Sequence, residues 1–184
     1  FRNKKYPECI AEEGVAIRAV KRVYKELSGD ASDLTPKDIS EIAKGQRPGN
    51  AEAAKKSFAE LGEMAGDAIA MADTIVDGLV VIGGGVAHSS DLIFPSLVGE
   101  MNGQLKKLDG EQVGRMQMRV YNLEDPTQLG EFLKGDTVKV TVPGTEEQVD
   151  YDPMKRVGVI RTKIGASSAI SLGAYLFALN ELDR

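Results

Sequence analysis

Leu79-Val80-Val81-Ile82-Gly83-Gly84-Gly85-Val86-Ala87 is the stretch that decides the fold. A run of apolar, β-favouring residues meets three consecutive glycines, and an apolar segment then leads off again. Glycine has no Cβ, so three in a row let the backbone turn sharply at a strand end and approach a flat ligand closely. In α/β proteins the carboxyl ends of strands are where ligands sit. The alternative is a tight structural turn that needs positive φ.

The segments on either side set the class. Upstream, Phe58, Leu61, Ala65, Ala68, Ile69, Ala72, Ile75 and Val76 form one apolar stripe at helical spacing, predicting a helix from Ala51 to about Val76. Gly62, Gly66 and many alanines make part of that helix thin, which allows close approach to a neighbour. Asp77-Gly78 turns the chain into the strand. Further upstream, Val15, Ala19, Val20, Val23 and Leu27 mark a helix over 11–27 ended by Gly29. Thr35-Pro36-Lys37-Asp38 opens a short one with a capping box. Downstream, Ser89 or Ser90 caps a helix from about Asp91. Met116, Met118 and Val120 alternate with Arg115, Gln117 and Arg119 as a half-buried strand, and Val138, Val140 and Val142 alternate with Lys139 and Thr141 before the Pro143-Gly144 turn. Gln148 to Tyr151 is the hairpin partner, Arg156 to Thr162 another strand, and Ser167 to Leu182 the closing helix, packed on the sheet. The reading is an α/β lobe, a mixed sheet with flanking helices.

Composition narrows the function. The 184 residues fit one domain or one lobe of a larger protein, with 42% hydrophobic and 28% charged residues. A net charge of −5 and no basic stripe argue against a nucleic-acid surface. The single cysteine, Cys9, forms no internal disulfide, and neither Cys9 nor His88 has companions for a Cys/His metal site. A reducing cytoplasm is the expected compartment, and no apolar run is long enough to span a bilayer. The chain opens on Phe1-Arg2-Asn3 with its first methionine at Met64, so a piece of a longer protein is expected.

With those residues in view, the chain resembles the C-terminal portion of the ROK family, the repressors, open reading frames and sugar kinases of the actin-like ATPase superfamily. Three features carry the likeness. Leu61-Gly62-Glu63-Met64-Ala65-Gly66 and Ala68-Ile69-Ala70, leading into Val80 to Val86, are similar to the family's adenosine-side helix, strand and glycine motif. Ser171-Leu172-Gly173-Ala174-Tyr175-Leu176 resembles its closing Gly-Ala-rich helix. Ala11-Glu12-Glu13-Gly14-Val15-Ala16-Ile17-Arg18-Ala19-Val20 resembles the helix that begins with a sugar-contacting glutamate. The likeness covers most of 8–105 and 156–182. Residues 121–155 are an expected insertion, a hairpin, relative to shorter members.

The resemblance implies an actin-like (ribonuclease H-like) lobe, 1–184, of a two-lobe, glucokinase-like hexose kinase. Gly83, Gly84, Gly85 and Val86 would lie against the adenosine and α-phosphate of ATP. Glu12, with Glu13 the alternative, would accept hydrogen bonds from sugar hydroxyls, as an acceptor-only carboxylate suits a polyol. Either glutamate could instead be a first-turn carboxylate favoured by the helix dipole. The phosphate loop, catalytic aspartate and most of the magnesium site belong to the family's other lobe, so no catalytic residue is expected here and the fragment alone is expected to be inactive. The family's His-and-three-cysteine zinc cluster is represented by Cys9 alone, so no zinc is expected. A hexose or N-acetylhexosamine is the implied substrate, a homodimer the implied assembly. A sugar-sensing transcriptional repressor of the same family is the alternative, with nucleic acid as partner only in that case; a degenerate binding module is a third reading. His88 is read as an incidental loop residue, and Asp67 and Asp73 as solvent-facing charges.

Overall fold

The computed structural model describes residues 1–182. Four helices come first: α1 (Glu12–Val15), α2 (Ile17–Ser28), α3 (Pro36–Ala43) and α4 (Ala51–Val76). The expected helix over 11–27 is broken at Ala16, whose extended backbone (ψ 162°) separates α1 from α2. The break turns Leu27 out of the core, half exposed, and Tyr24 is buried on that face instead.

The capping box of α3 forms as read. The Asp38 N–H donates to Thr35 Oγ1 and the Thr35 N–H donates to Asp38 Oδ2. Thr35→Ala is therefore expected to cost about 1 kcal/mol of stability, read as a lower urea midpoint. Its pH signature follows from Asp38. The Thr35 hydroxyl and N–H, with Arg47 adding charge, hold the Asp38 carboxyl below its ordinary range. A depressed carboxylate stabilises the fold fully above its unfolded pKa of about 3.9, and that contribution disappears as pH falls through the lower folded value. Acid titration of the variant should show a shallower stability loss below about pH 4 than the parent.

β1 (Val80–Ile82) leaves α4 through Asp77, which takes a left-handed conformation with φ 50°. A 3-10 turn (Gly85–Ser89) and α5 (Ser90–Met101) follow. Next come β2 (Gln104–Lys106) and β3 (Gln112–Gly114), an antiparallel pair, then β4 (Arg119–Asn122) and α6 (Pro126–Lys134). β5 (Val138–Thr141) and β6 (Gln148–Tyr151) form the expected hairpin. β7 (Arg156–Arg161) and α7 (Ala166–Leu182) close the described chain.

The central sheet has three strands in the order β1-β7-β4, both pairings parallel. The central sheet is thus parallel rather than mixed; among the described residues antiparallel pairing occurs in the two hairpins and in an isolated bridge between Arg2 and Ile10. Val80, Ile82, Val120, Val157 and Val159 pack together with Phe58, Phe94, Leu97 and Met101 from α4 and α5. On the other face, Tyr121 meets Phe132 of α6 edge to face. Beyond α6 that face is bare: Leu79 and Val81 are 57% and 55% exposed.

Three expectations change. Residues 116–118 are not a strand, because β7, the neighbour that would pair with them, begins only opposite Arg119. Asp67 and Asp73 are not solvent-facing. Asp67 pairs with Arg115, which also binds Glu100 at 2.6 Å, all three largely buried. Lys4 reaches Glu100 at 2.7 Å and Glu63 at 2.6 Å, tying the N-terminal segment to the same cluster. Asp73 is buried, its Oδ1 accepting from the Gly78 N–H at the turn into β1. Finally, α7 does not lie packed on the sheet: Tyr175 and Phe177 are 62% and 69% exposed. No helix among the described residues is long and apolar enough to cross a membrane.

Candidate functional site

The strands β1, β7 and β4 all run the same way, so their carboxyl ends open on one edge of the molecule. There Gly83 leaves β1 beside Thr162, whose N–H donates to the Ile82 carbonyl at 2.9 Å. Gly84 holds φ 100° and ψ 174°, a conformation essentially reserved for glycine. The Ala87 N–H then closes on the Gly84 carbonyl at 3.2 Å and starts the 3-10 turn. Ser89 Oγ donates to Ser40 Oγ at 3.0 Å in a buried contact, fastening the turn to α3. Sequence, turn and anchor thus place Gly83 to Val86 at the mouth of the crevice.

Three cavities meet at His88. One, of about 420 Å³, lies between α3 and the turn and is lined by Pro36, Ser40, Lys44, Gly85 and Val86 among others. Its walls are mainly apolar, suiting a planar ring system. A second, of about 470 Å³, runs between Gly84-Gly85 and the loop after β7, with Arg161, Thr162, Lys163, Gly165 and Ser167. The third, of about 480 Å³, is lined by Asp91, Asn122, Glu124, Asp125 and Arg161. Glu124 Oε1 accepts from the Arg161 N–H at 3.1 Å and lies 3.7 Å from Lys163 Nζ. His88, read as incidental, therefore stands at the centre of the site. Only the pairing of β1 with β7 reveals this, since it brings the glycine turn beside a loop more than seventy residues further on.

The other predicted residues lie apart from the turn. Glu12 and Glu13 are on α1, the first exposed and the second partly buried, and line none of these three cavities. Both pair with Arg18, Glu13 at 2.6 Å and Glu12 at 3.2 Å. The Arg18 guanidinium holds the Glu13 carboxyl below its ordinary range, so it is an anion with its acceptors partly engaged. Asn3, which sequence reasoning passed over, fixes the segment before α1. It is buried, and its Oδ1 accepts from the Lys5 and Tyr6 N–H groups, each at 2.9 Å. Among the described residues no group of three His, Cys, Asp or Glu side chains is placed to hold a metal ion.

A parallel sheet whose glycine turn opens at the carboxyl ends of the strands places a ligand crevice there. Among solved structures, the chain is similar to a glucokinase from Parabacteroides distasonis ATCC 8503 at 55% sequence identity, with a TM-score of 0.88. The match covers 98% of this chain and 48% of that one, so the chain spans about half the length of that glucokinase. The glucokinase-like character read from the sequence is thus shown over nearly all of the chain. A candidate sugar kinase from Cytophaga hutchinsonii ATCC 33406 matches 60% of this chain and 36% of that one at 19% identity and a TM-score of 0.47. No family model and no curated protein matches the chain.

Proposed function

We propose that the chain is the C-terminal lobe of an ATP-dependent hexose kinase of the ROK family, supplying the adenosine site and part of the sugar site. The observation that carries this is the glycine turn at the ends of parallel strands in a chain 55% identical to half of a glucokinase. Gly83 to Val86 form the floor under the nucleotide, and the apolar cavity against α3 takes the adenine. Glu12, with Glu13 beside it, reaches sugar hydroxyls once the second lobe closes the cleft; Arg18, paired with both, orients them. Phosphoryl transfer also needs an aspartate base, a phosphate loop and bound magnesium. The proposal assigns these to the other lobe, so this chain alone does not turn over. The exposed apolar helix α7 and the bare sheet face at Leu79 and Val81 support a lobe that packs against further protein. The assembled enzyme works as a cytoplasmic homodimer.

The test is a coupled assay of ADP release by the full-length gene product against hexoses and N-acetylhexosamines. Sugar-dependent release is expected, absent from the 184-residue chain alone. Glu12→Ala should lower kcat/KM roughly tenfold to hundredfold, the worth of a charged hydrogen bond to substrate. Sugar binding by calorimetry without ADP release from any sugar would overturn the kinase reading in favour of a sensor.

A further inference from the structure

The cavity between the glycine turn and the loop after β7 has a charge pattern that the adenosine role does not use. Arg161 and Lys163 approach it from the end of β7, and His88 from the 3-10 turn, while none of its lining residues is acidic. Among the described residues Arg161 has no ion-pair partner for its guanidinium; its contact with Glu124 runs through its backbone N–H. Lys163 is only loosely held, 3.7 Å from Glu124. Arg161 also borders the adjoining cavity lined by Asp91, Glu124 and Asp125, so it is the cavity toward the glycine turn, free of carboxylates, in which this arginine is suited to recruiting an anion.

The backbone adds to the same field. Ile82 and Arg161 are register partners in the β1–β7 pair, so both connections leave the sheet together and form opposite walls. Gly165 and Ser167, at the start of the 17-residue helix α7, also line the cavity, and a helix N-terminus carries partial positive charge. The Thr162 hydroxyl, donating to the Ile164 carbonyl at 2.5 Å, braces the loop from within.

We infer that the loop after β7 is a polyphosphate clamp: Arg161 and Lys163 hold the phosphates of a nucleoside di- or triphosphate whose base lies beyond the glycine turn. This rests on the nucleotide reading above. It assigns the anionic part of the ligand to residues of this lobe that the motif reading passed over. Neither side chain supports the core, so both can be replaced without disturbing the fold.

The experiment is calorimetry on the full-length gene product and on its Arg161→Gln and Lys163→Gln variants, with MgADP, adenosine and inorganic tripolyphosphate as separate probes, and melting curves to confirm folding. Each substitution is expected to weaken MgADP roughly tenfold to hundredfold and leave adenosine unchanged. Raising salt should shrink the difference between parent and variants, because the contact is partly solvent-screened. If MgADP affinity is the same in parent and variants, the clamp is overturned while the nucleotide site survives. If tripolyphosphate binds in an Arg161-dependent way but adenosine adds nothing, the clamp stands and the adenosine reading falls. If no probe binds the parent, both fall.

Discussion

Gly66→Ala is expected to destabilise the chain by about 3 kcal/mol, the upper end of what overpacking costs. Two effects of opposite sign compete at this position. In an isolated helix the change would gain about 1 kcal/mol, since glycine is a poor helix former. In α4 it collides with α5: a Cβ on Gly66 would stand 2.5 Å from the Leu97 carbonyl oxygen and 2.9 Å from Glu100 Cβ. Gly62 faces the Ile93 carbonyl in the same way. Carbonyl oxygens of a helix have no rotamer to adopt, so α4 and α5 must move apart. That opens the buried packing of Phe58, Phe94 and Leu97 and pulls Glu100 from Arg115. Gly158→Ala is the contrast. There a Cβ would also come within 2.5 Å of a neighbour, but that neighbour is Leu123 Cδ1, with Leu79 Cδ1 at 3.0 Å. Side-chain tips can turn away, so about 1 kcal/mol is expected. For a chain of this length the two variants should lower Tm by about 6–12 °C and about 2–4 °C respectively. Equal shifts would mean that the close approach of α4 to α5 does not set the stability of the lobe.

Elements governed by local chemistry were legible in the sequence, and those governed by distant partners were not. The Thr35 box, the bounds of α4 and the β5–β6 alternation carry their own signals and form as read, but the stripe of α4 holds only in part: Phe58 and Leu61 are buried, whereas Ile75 and Val76 are 83% and 74% exposed and Ala70 and Asp73 are buried instead. α6 also carried one: Asp125-Pro126 is an N-cap followed by proline at the first helical position, and the Asp125 carboxylate accepts from the Thr127 and Gln128 N–H groups. The expectation of a hairpin insertion over 121–155 leaves no place for this helix. The strand expected at Met116 failed for another reason: alternation describes a face, whereas a strand also needs a neighbour, and β7 starts too late to provide one. Asp67 looked like a surface charge because its partner, Arg115, lies 48 residues away. The site divides the same way. Gly83 to Val86 stand out by composition, but the roles of His88, Arg161 and Lys163 come only from the parallel pairing of β1 and β7. In α7 the apolar residues show no stripe, and the helix lies largely bare. A helix apolar on all sides is one that expects burial.

Gly84→Val should separate the turn's geometry from its mere flexibility, with Gly85→Ala as its control. Gly84 sits at φ 100°, ψ 174°, where a β-branched residue is strained by about 1–3 kcal/mol. Gly85 has no positive φ, and a Cβ there meets nothing within 4 Å. A valine at 84 leaves the loop two courses. It can keep its shape and carry the strain, or relax and turn the backbone of residues 83–86 away from the crevice. Relaxation is the expected course, because Gly83, Gly84 and Gly85 are exposed and a Cβ at Gly84 or Gly85 meets nothing within 4 Å, while the anchors lie to either side, at Ile82 and at Val86 to Ser89. Binding must then restore the strained shape, so the full cost falls on nucleotide affinity: roughly a 5- to 150-fold rise in the MgADP Kd, with little change in Tm. Gly85→Ala should bind within about twofold of the parent, as a methyl group in open space adds neither strain nor contact. Should Gly84→Val lose stability yet keep its affinity, the turn would be holding its shape under strain, and the ligand would not be reading the backbone there. Unchanged affinity together with unchanged stability would take the nucleotide away from this turn altogether. The Tm measured beside the Kd makes the assignment, because strain retained in the folded protein appears in the first and strain released by relaxation appears in the second.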